Sequence, residues 1–180
     1  MTVKEFLILS SVASNTSEVG ESIRSLPYPA FVGGHKVPNN LNDLTIGQLI
    51  ELQTMTDEKE CLFVPCRVLF GMDKEQVLSL QAIDVIGLSL WIAKEVGRIS
   101  ELFASASVPP TSEEKQAGVE RLSFGMFGIL DYYALRMGIT DHEDVERVPW
   151  VRVYKCMEMD AAKIQYERRL RIIYQKRNKK

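Results

Sequence analysis

Two stretches of this chain carry the same pattern. The first reads Gly71-Met72-Asp73-Lys74-Glu75-Gln76-Val77, followed by Leu80, Ile83 and Val85. The second reads Gly138-Ile139-Thr140-Asp141-His142-Glu143-Asp144-Val145, followed by Val148, Val151 and Val153. With one residue inserted near Thr140, they align from Asp73/Asp141 through Val85/Val153 at a separation of 68. Each copy follows an apolar run of helical period and leads into another. A duplicated helix–Gly turn–helix unit is a packing device, because each copy buries its apolar face against neighbouring elements. The pattern predicts a mainly α fold: two pseudo-repeated helix–turn–helix units around a common core, with a small N-terminal β-hairpin.

The punctuation between these runs sets the expected boundaries. Pro27-Tyr28-Pro29 interrupts any preceding helix, and residues 10–17 read as loop or weak helix. Phe31-Val32-Gly33-Gly34-His35-Lys36-Val37 predicts a hairpin, since Gly-Gly supplies the two positive φ angles of a tight turn. Residues 1–40 thus read as an arm, and 41–180 as a helical domain. Its halves, 41–103 and 113–180, are joined by the linker 104–112, ASASVPPTS. Thr45-x-x-Gln48, Asp73-x-x-Gln76 and Thr140-x-x-Glu143 have capping-box spacing. Thr56 or Asp57 is expected to cap a helix that Pro65 kinks near its middle or opens near its start. Gly71 and Gly138 are expected to end helices. An apolar helix is expected from about Val119 to Met137, and a last helix from about Trp150 to Asn178.

Catalytic chemistry finds little to work with. The chain has two histidines, His35 and His142, and no GxSxG serine or phosphate-loop spacing. Asp141, His142, Glu143, Asp144 and Glu146 lack the pattern of a calcium loop and read as acids at a helix start. Three cysteines without a CxxC pair read as reduced, buried thiols. The expectation is a protein that is not an enzyme and uses no cofactor and no metal. Near the N-terminus Lys4 precedes Phe6-Leu7-Ile8-Leu9, but this apolar run is short and Glu5 offsets Lys4. The chain also lacks an apolar run of membrane-spanning length, so a cytoplasmic protein is expected.

Charge and aromatic content point toward binding instead. The formal net charge is −2, yet residues 168–180 carry seven positive charges and no acid. An acidic body with a basic end suggests a charged partner or a homo-oligomer. Trp150, Tyr154, Met157, Ala161 and Ile164 recur at helical spacing. Beyond them, Leu170, Ile173 and Tyr174 lie among arginines. The contact residues expected for a protein partner are Trp150, Tyr154, Arg168, Arg171 and Tyr174. Nucleic acid is a weaker expectation, because no recognised binding motif accompanies the basic end. Exposed members of the set Trp91, Phe124, Phe127, Tyr132 and Tyr133 would mark a further interface.

Residues 44–52 (LTIGQLIEL), 67–77 (RVLFGMDKEQV), 138–145 (GITDHEDV) and the pair Pro149-Trp150 with Val153 give the chain a resemblance to the tail assembly chaperones of tailed bacteriophages and prophages. The resemblance spans about residues 41–175 and consists of helix punctuation. It implies a helical protein of the host cytoplasm that binds the tape-measure protein, keeps its apolar helices soluble and aids assembly of tail-tube protein. It also implies no active site and carries over no diagnostic residue. Residues 1–40 and the basic end depart from that pattern. They leave open a structural virion connector, or a scaffold contacting nucleic acid through its C-terminal helix.

Overall fold

A computed structural model describes residues 1–11, 26–57 and 59–178. The stretch 12–25 and the last two lysines of the basic end lie outside the described residues. Among the described residues the chain is mainly helical, with nine α-helices and a two-stranded antiparallel sheet near the N-terminus. The helices are α1 (Val3–Ser10), α2 (Ile46–Gln53), α3 (Glu60–Phe70), α4 (Lys74–Ser79), α5 (Ala82–Ser105), α6 (Ser112–Gln116), α7 (Gly125–Met137), α8 (His142–Glu146) and α9 (Trp150–Asn178). The strands are β1 (Phe31–Val32) and β2 (His35–Lys36). The chain forms two compact units that interleave in sequence. Unit 1 is Met1–Leu41 with Gln48–Gly97, and unit 2 is Asn42–Gly47 with Arg98–Lys180.

In unit 1, Thr2 caps α1 through a complete capping box with Glu5. The Val3 N–H then donates to the Leu80 carbonyl, and the Ala82 N–H to the Met1 carbonyl. This single antiparallel bridge, Thr2 to Gln81, ties the start of α1 to the junction of α4 and α5. The hairpin forms as expected. Phe31 pairs with Lys36 and Val32 with His35. Gly33 and Gly34 take φ of 56° and 83°, both left-handed, as the tight turn requires. Val32, Leu49, Cys66, Val77, Val85, Leu88 and Ile92 form the buried interior.

Helix α3 starts later than its acids suggest. Asp57 accepts the Lys59 N–H, and the helix proper opens at Glu60. Pro65 is inside it. A proline has no N–H to return to the carbonyl four residues back, here Cys61. The Ser89 hydroxyl of α5 reaches that Cys61 carbonyl. Gly71, in the left-handed region, ends α3. Asp73 and Gln76 then form a reciprocal capping box at 2.8 Å for each bond and start α4.

Unit 2 shows the same local sequence of events. Gly138, again left-handed, ends α7. Asp141 caps α8 by accepting the Glu143 N–H at 2.9 Å. The capping residue is thus Asp141 and not Thr140. The helix opens one residue later than the Thr140-x-x-Glu143 spacing implied, and its cap is the position that aligns with Asp73. A bridge from Thr45 to Pro149 ties the start of α2 to the junction of α8 and α9. Its bonds run from the Ile46 N–H to the Val148 carbonyl at 2.8 Å and from the Trp150 N–H to the Leu44 carbonyl at 3.2 Å. Pro149 sits at the paired position without loss, because the residues flanking it supply both bonds.

Two other expectations are corrected. The segment 104–112 is only partly a linker: Ala104 and Ser105 finish α5, and Thr111 forms a capping box with Glu114 that starts α6 at Ser112. The apolar run after Val119 is not one helix. Residues Val119–Arg121 form a 3-10 turn and α7 opens only at Gly125. Gly118 and Gly125 have φ of 82° and 55°, left-handed values that prevent one continuous right-handed helix across this segment.

Candidate functional site

Helix α9 buries one side only as far as Ala161; beyond it Ile164 and Ile172, on that same side, are 42% and 51% exposed. Trp150, Val153 and Ala161 are buried in unit 2, with Tyr154 and Met157 half-buried beside them. Phe103 meets this face. Its ring centroid lies 5.9 Å from that of Trp150 and 5.8 Å from that of Tyr154, the latter edge-on. Tyr154 donates its hydroxyl to Glu158 at 3.0 Å. Trp150 is 2% exposed, so it serves the interior of unit 2 and has no surface to offer. The same helix is fastened at a second point. Asp160 accepts from the Tyr132 hydroxyl and takes both its oxygens to Arg136 at 2.7 Å. Burial above all, helped by the Asp160 carboxylate, pushes the Tyr132 hydroxyl well above the usual tyrosine range. It therefore stays a donor.

Arg168 makes a third fastening. It donates to the Pro109 carbonyl at 2.8 Å and to both oxygens of Glu114 at 3.0 Å. Glu114 is already engaged at the start of α6. The Thr111 backbone N–H, with the Arg168 guanidinium adding to it, holds its carboxyl below the ordinary glutamate range. Arg168 thus anchors α9 to the 106–116 segment. Arg171 and Tyr174 are exposed.

The opposite face of α9 is apolar and open. Met159 is 63% exposed, Tyr166 57%, Ile173 54% and Tyr174 54%, with Leu170 half-buried between them. Met159, Tyr166 and Ile173 recur every seven residues, and Leu170 and Tyr174 fall at i+4 and i+8 from Tyr166. These spacings put all five on one side of a helix. Leu170, Ile173 and Tyr174 therefore lie on the side of α9 opposite Trp150 and Tyr154. Met159 and Tyr166, absent from the expected contact set, belong with them. The signal was legible as a seven-residue period, but the stronger run through Trp150 masked it. Lys163, Arg169, Lys176 and Arg177 are exposed on or beside this face.

Other chemistry-bearing groups are engaged structurally. In unit 1 a shallow groove is lined by Asp57, Glu60, Phe63, Arg67, Asp73 and Lys74. Asp57 and Asp73 in it accept backbone N–H groups at helix starts, and Lys74 lies over the Phe63 ring. In unit 2 Asp144 pairs with Arg147, and His142 sits edge-on to Phe127 and 3.7 Å from Asp131. Among the described residues no group of three or more His, Cys, Asp or Glu side chains could hold a metal ion. Among them, too, no helix is long and apolar enough to cross a membrane. Phe124 and Phe127 are exposed at the start of α7, while Tyr133 is buried. No protein family, curated protein or solved structure matches the chain.

Proposed function

We propose that this chain is a non-enzymatic assembly protein of the tail assembly chaperone type, built from two pseudo-repeated helical units. Its expected partner is a tape-measure protein whose apolar helices it keeps soluble while tail-tube protein assembles around them. The repeat reading is supported by matched local geometry. In both copies a left-handed glycine follows the helix, an aspartate caps the short helix, and one antiparallel bridge joins that junction to a preceding helix start.

The observation that carries the binding reading is the open apolar face of α9. A soluble helix ordinarily turns such a face inward, and large exposed apolar patches mark interaction surfaces. Contact residues drawn from this face are Tyr166, Ile173 and Tyr174, with Arg171 nearby; Arg168 is held by Glu114 and Trp150 is buried. The basic end favours a second reading, a virion connector or scaffold that touches nucleic acid.

Co-expression with the tape-measure protein tests the choice. The chaperone reading expects a stable complex and absence of the chain from mature particles by mass spectrometry. Retention in particles without any complex overturns it. Binding to nucleic acid that weakens steeply with salt and vanishes on truncation after Glu167 would favour the second reading.

A further inference from the structure

We propose that the face of α9 formed by Met159, Tyr166, Leu170, Ile173 and Tyr174 docks one amphipathic helix of a partner, whose own apolar stripe is flanked by aspartates and glutamates. The inference rests on the assembly-protein reading above and names the chemistry of its partner.

The apolar residues set the shape of the occupant. From Met159 to Tyr174 the face runs for about 22 Å, or about four helical turns. Its large side chains are narrow in width and regular in period. A surface of this form accepts the i, i+4, i+7 anchors of another helix. The charges set the sign. From residue 162 to residue 177 this face carries Lys163 and Arg177, with the exposed Arg169 and Lys176 along one edge and Glu167, half-buried, along the other. Glu158, nearer the start, is already paired with Lys155 at 2.7 Å. A partner that brings acids gains charge complementarity along most of the contact, which governs encounter rate and register.

The same charges disfavour a second copy of this chain. Two such faces laid together, parallel or antiparallel, set these cations near one another. Flanking charges on paired helices select partners in this way. Nucleic acid and an anionic membrane would satisfy the cations. Nucleic acid does not need the apolar residues; a membrane surface uses both, and the vesicle arm of the test separates it from a partner helix.

The test uses the full chain and a fluorescent designed peptide of about 18 residues, enough to cover the face. The peptide has leucines at its a and d positions and glutamates at e and g. A matched peptide carries lysines instead of the glutamates. Anisotropy should show the glutamate peptide binding at least about tenfold more tightly. The double variant Tyr166→Glu/Ile173→Glu should abolish that binding. Both positions are exposed, so circular dichroism should be unchanged. Arg169→Glu/Lys176→Glu should reverse the preference between the peptides.

Equal binding of both peptides, or binding indifferent to Tyr166→Glu/Ile173→Glu, overturns the proposal. So does tighter, stripe-dependent capture of a single-stranded oligonucleotide or of anionic phospholipid vesicles. A dimer of the free chain that Ile173→Glu dissolves also overturns it. If the tape-measure complex forms but ignores the stripe variants, this surface assignment falls while the assembly reading stands. If no such complex forms, the assembly reading itself fails.

Discussion

At the scale of single residues, the fold is held by polar groups that repair what the sequence disrupts. Pro65 leaves the Cys61 carbonyl without its helical donor, and the Ser89 hydroxyl reaches it. Ser89→Ala should therefore cost about 1 kcal/mol with Pro65 present. In a Pro65→Ala background the restored N–H serves that carbonyl, and the cost should largely disappear. A double-mutant cycle by urea unfolding reads this coupling, and additive effects would contradict it. Capping gives a second residue-level expectation. Asp141→Ala should lose about 1 kcal/mol, and Thr140→Ala clearly less. The capping-box spacing pointed to Thr140, whereas Asp141 read only as an acid at the helix start. Choosing between Thr140 and Asp141 needed the one-residue offset of the repeat, because both residue types cap well. Thiol chemistry adds a third. Burial pushes the Cys66 thiol up to about 11, so in the native state it should react with a thiol reagent much more slowly than half-buried Cys61 and Cys156. Equal labelling of all three without unfolding would contradict that placement.

At the scale of elements, the informative positions are those where two segments approach closely. Gly47 of α2 is one. A Cβ there would lie 2.9 Å from the Glu146 Cβ and 3.0 Å from its carbonyl oxygen. Gly47→Ala should therefore strain the α2 start against the end of α8 and lower the melting temperature. This constraint was not legible before the structure, since a glycine within a helical pattern reads simply as a weak spot. The clasp of α9 is pH-sensitive with a definite sign. Glu114 titrates below the usual glutamate value of about 4.3. A lowered carboxyl pKa contributes stability that is present above the unfolded value and lost as pH falls through the folded one. An NMR titration should find the Glu114 midpoint depressed. Arg168→Gln should restore it only in part, because the Thr111 N–H is the larger cause. Element boundaries were most legible where glycine, proline and capping residues agreed, as in the hairpin and at the start of α9. They were least legible at 118–125, where apolar residues continue through two glycines of positive φ.

At the scale of the whole molecule, the function we propose is adhesion to a partner. Among the described residues, several carboxylates serve as helix caps or ion-pair partners, and an exposed apolar surface lies on the far side of the last helix. The sequence carried that surface as two overlapping periods on one helix. Only the burial of Trp150, Val153 and Ala161 on one side separates them. The most direct measurement is amide hydrogen exchange across the full chain, free and with the proposed tape-measure partner. New protection should concentrate in residues 159–177. Protection falling instead on the exposed start of α7, with α9 unchanged, would contradict the account.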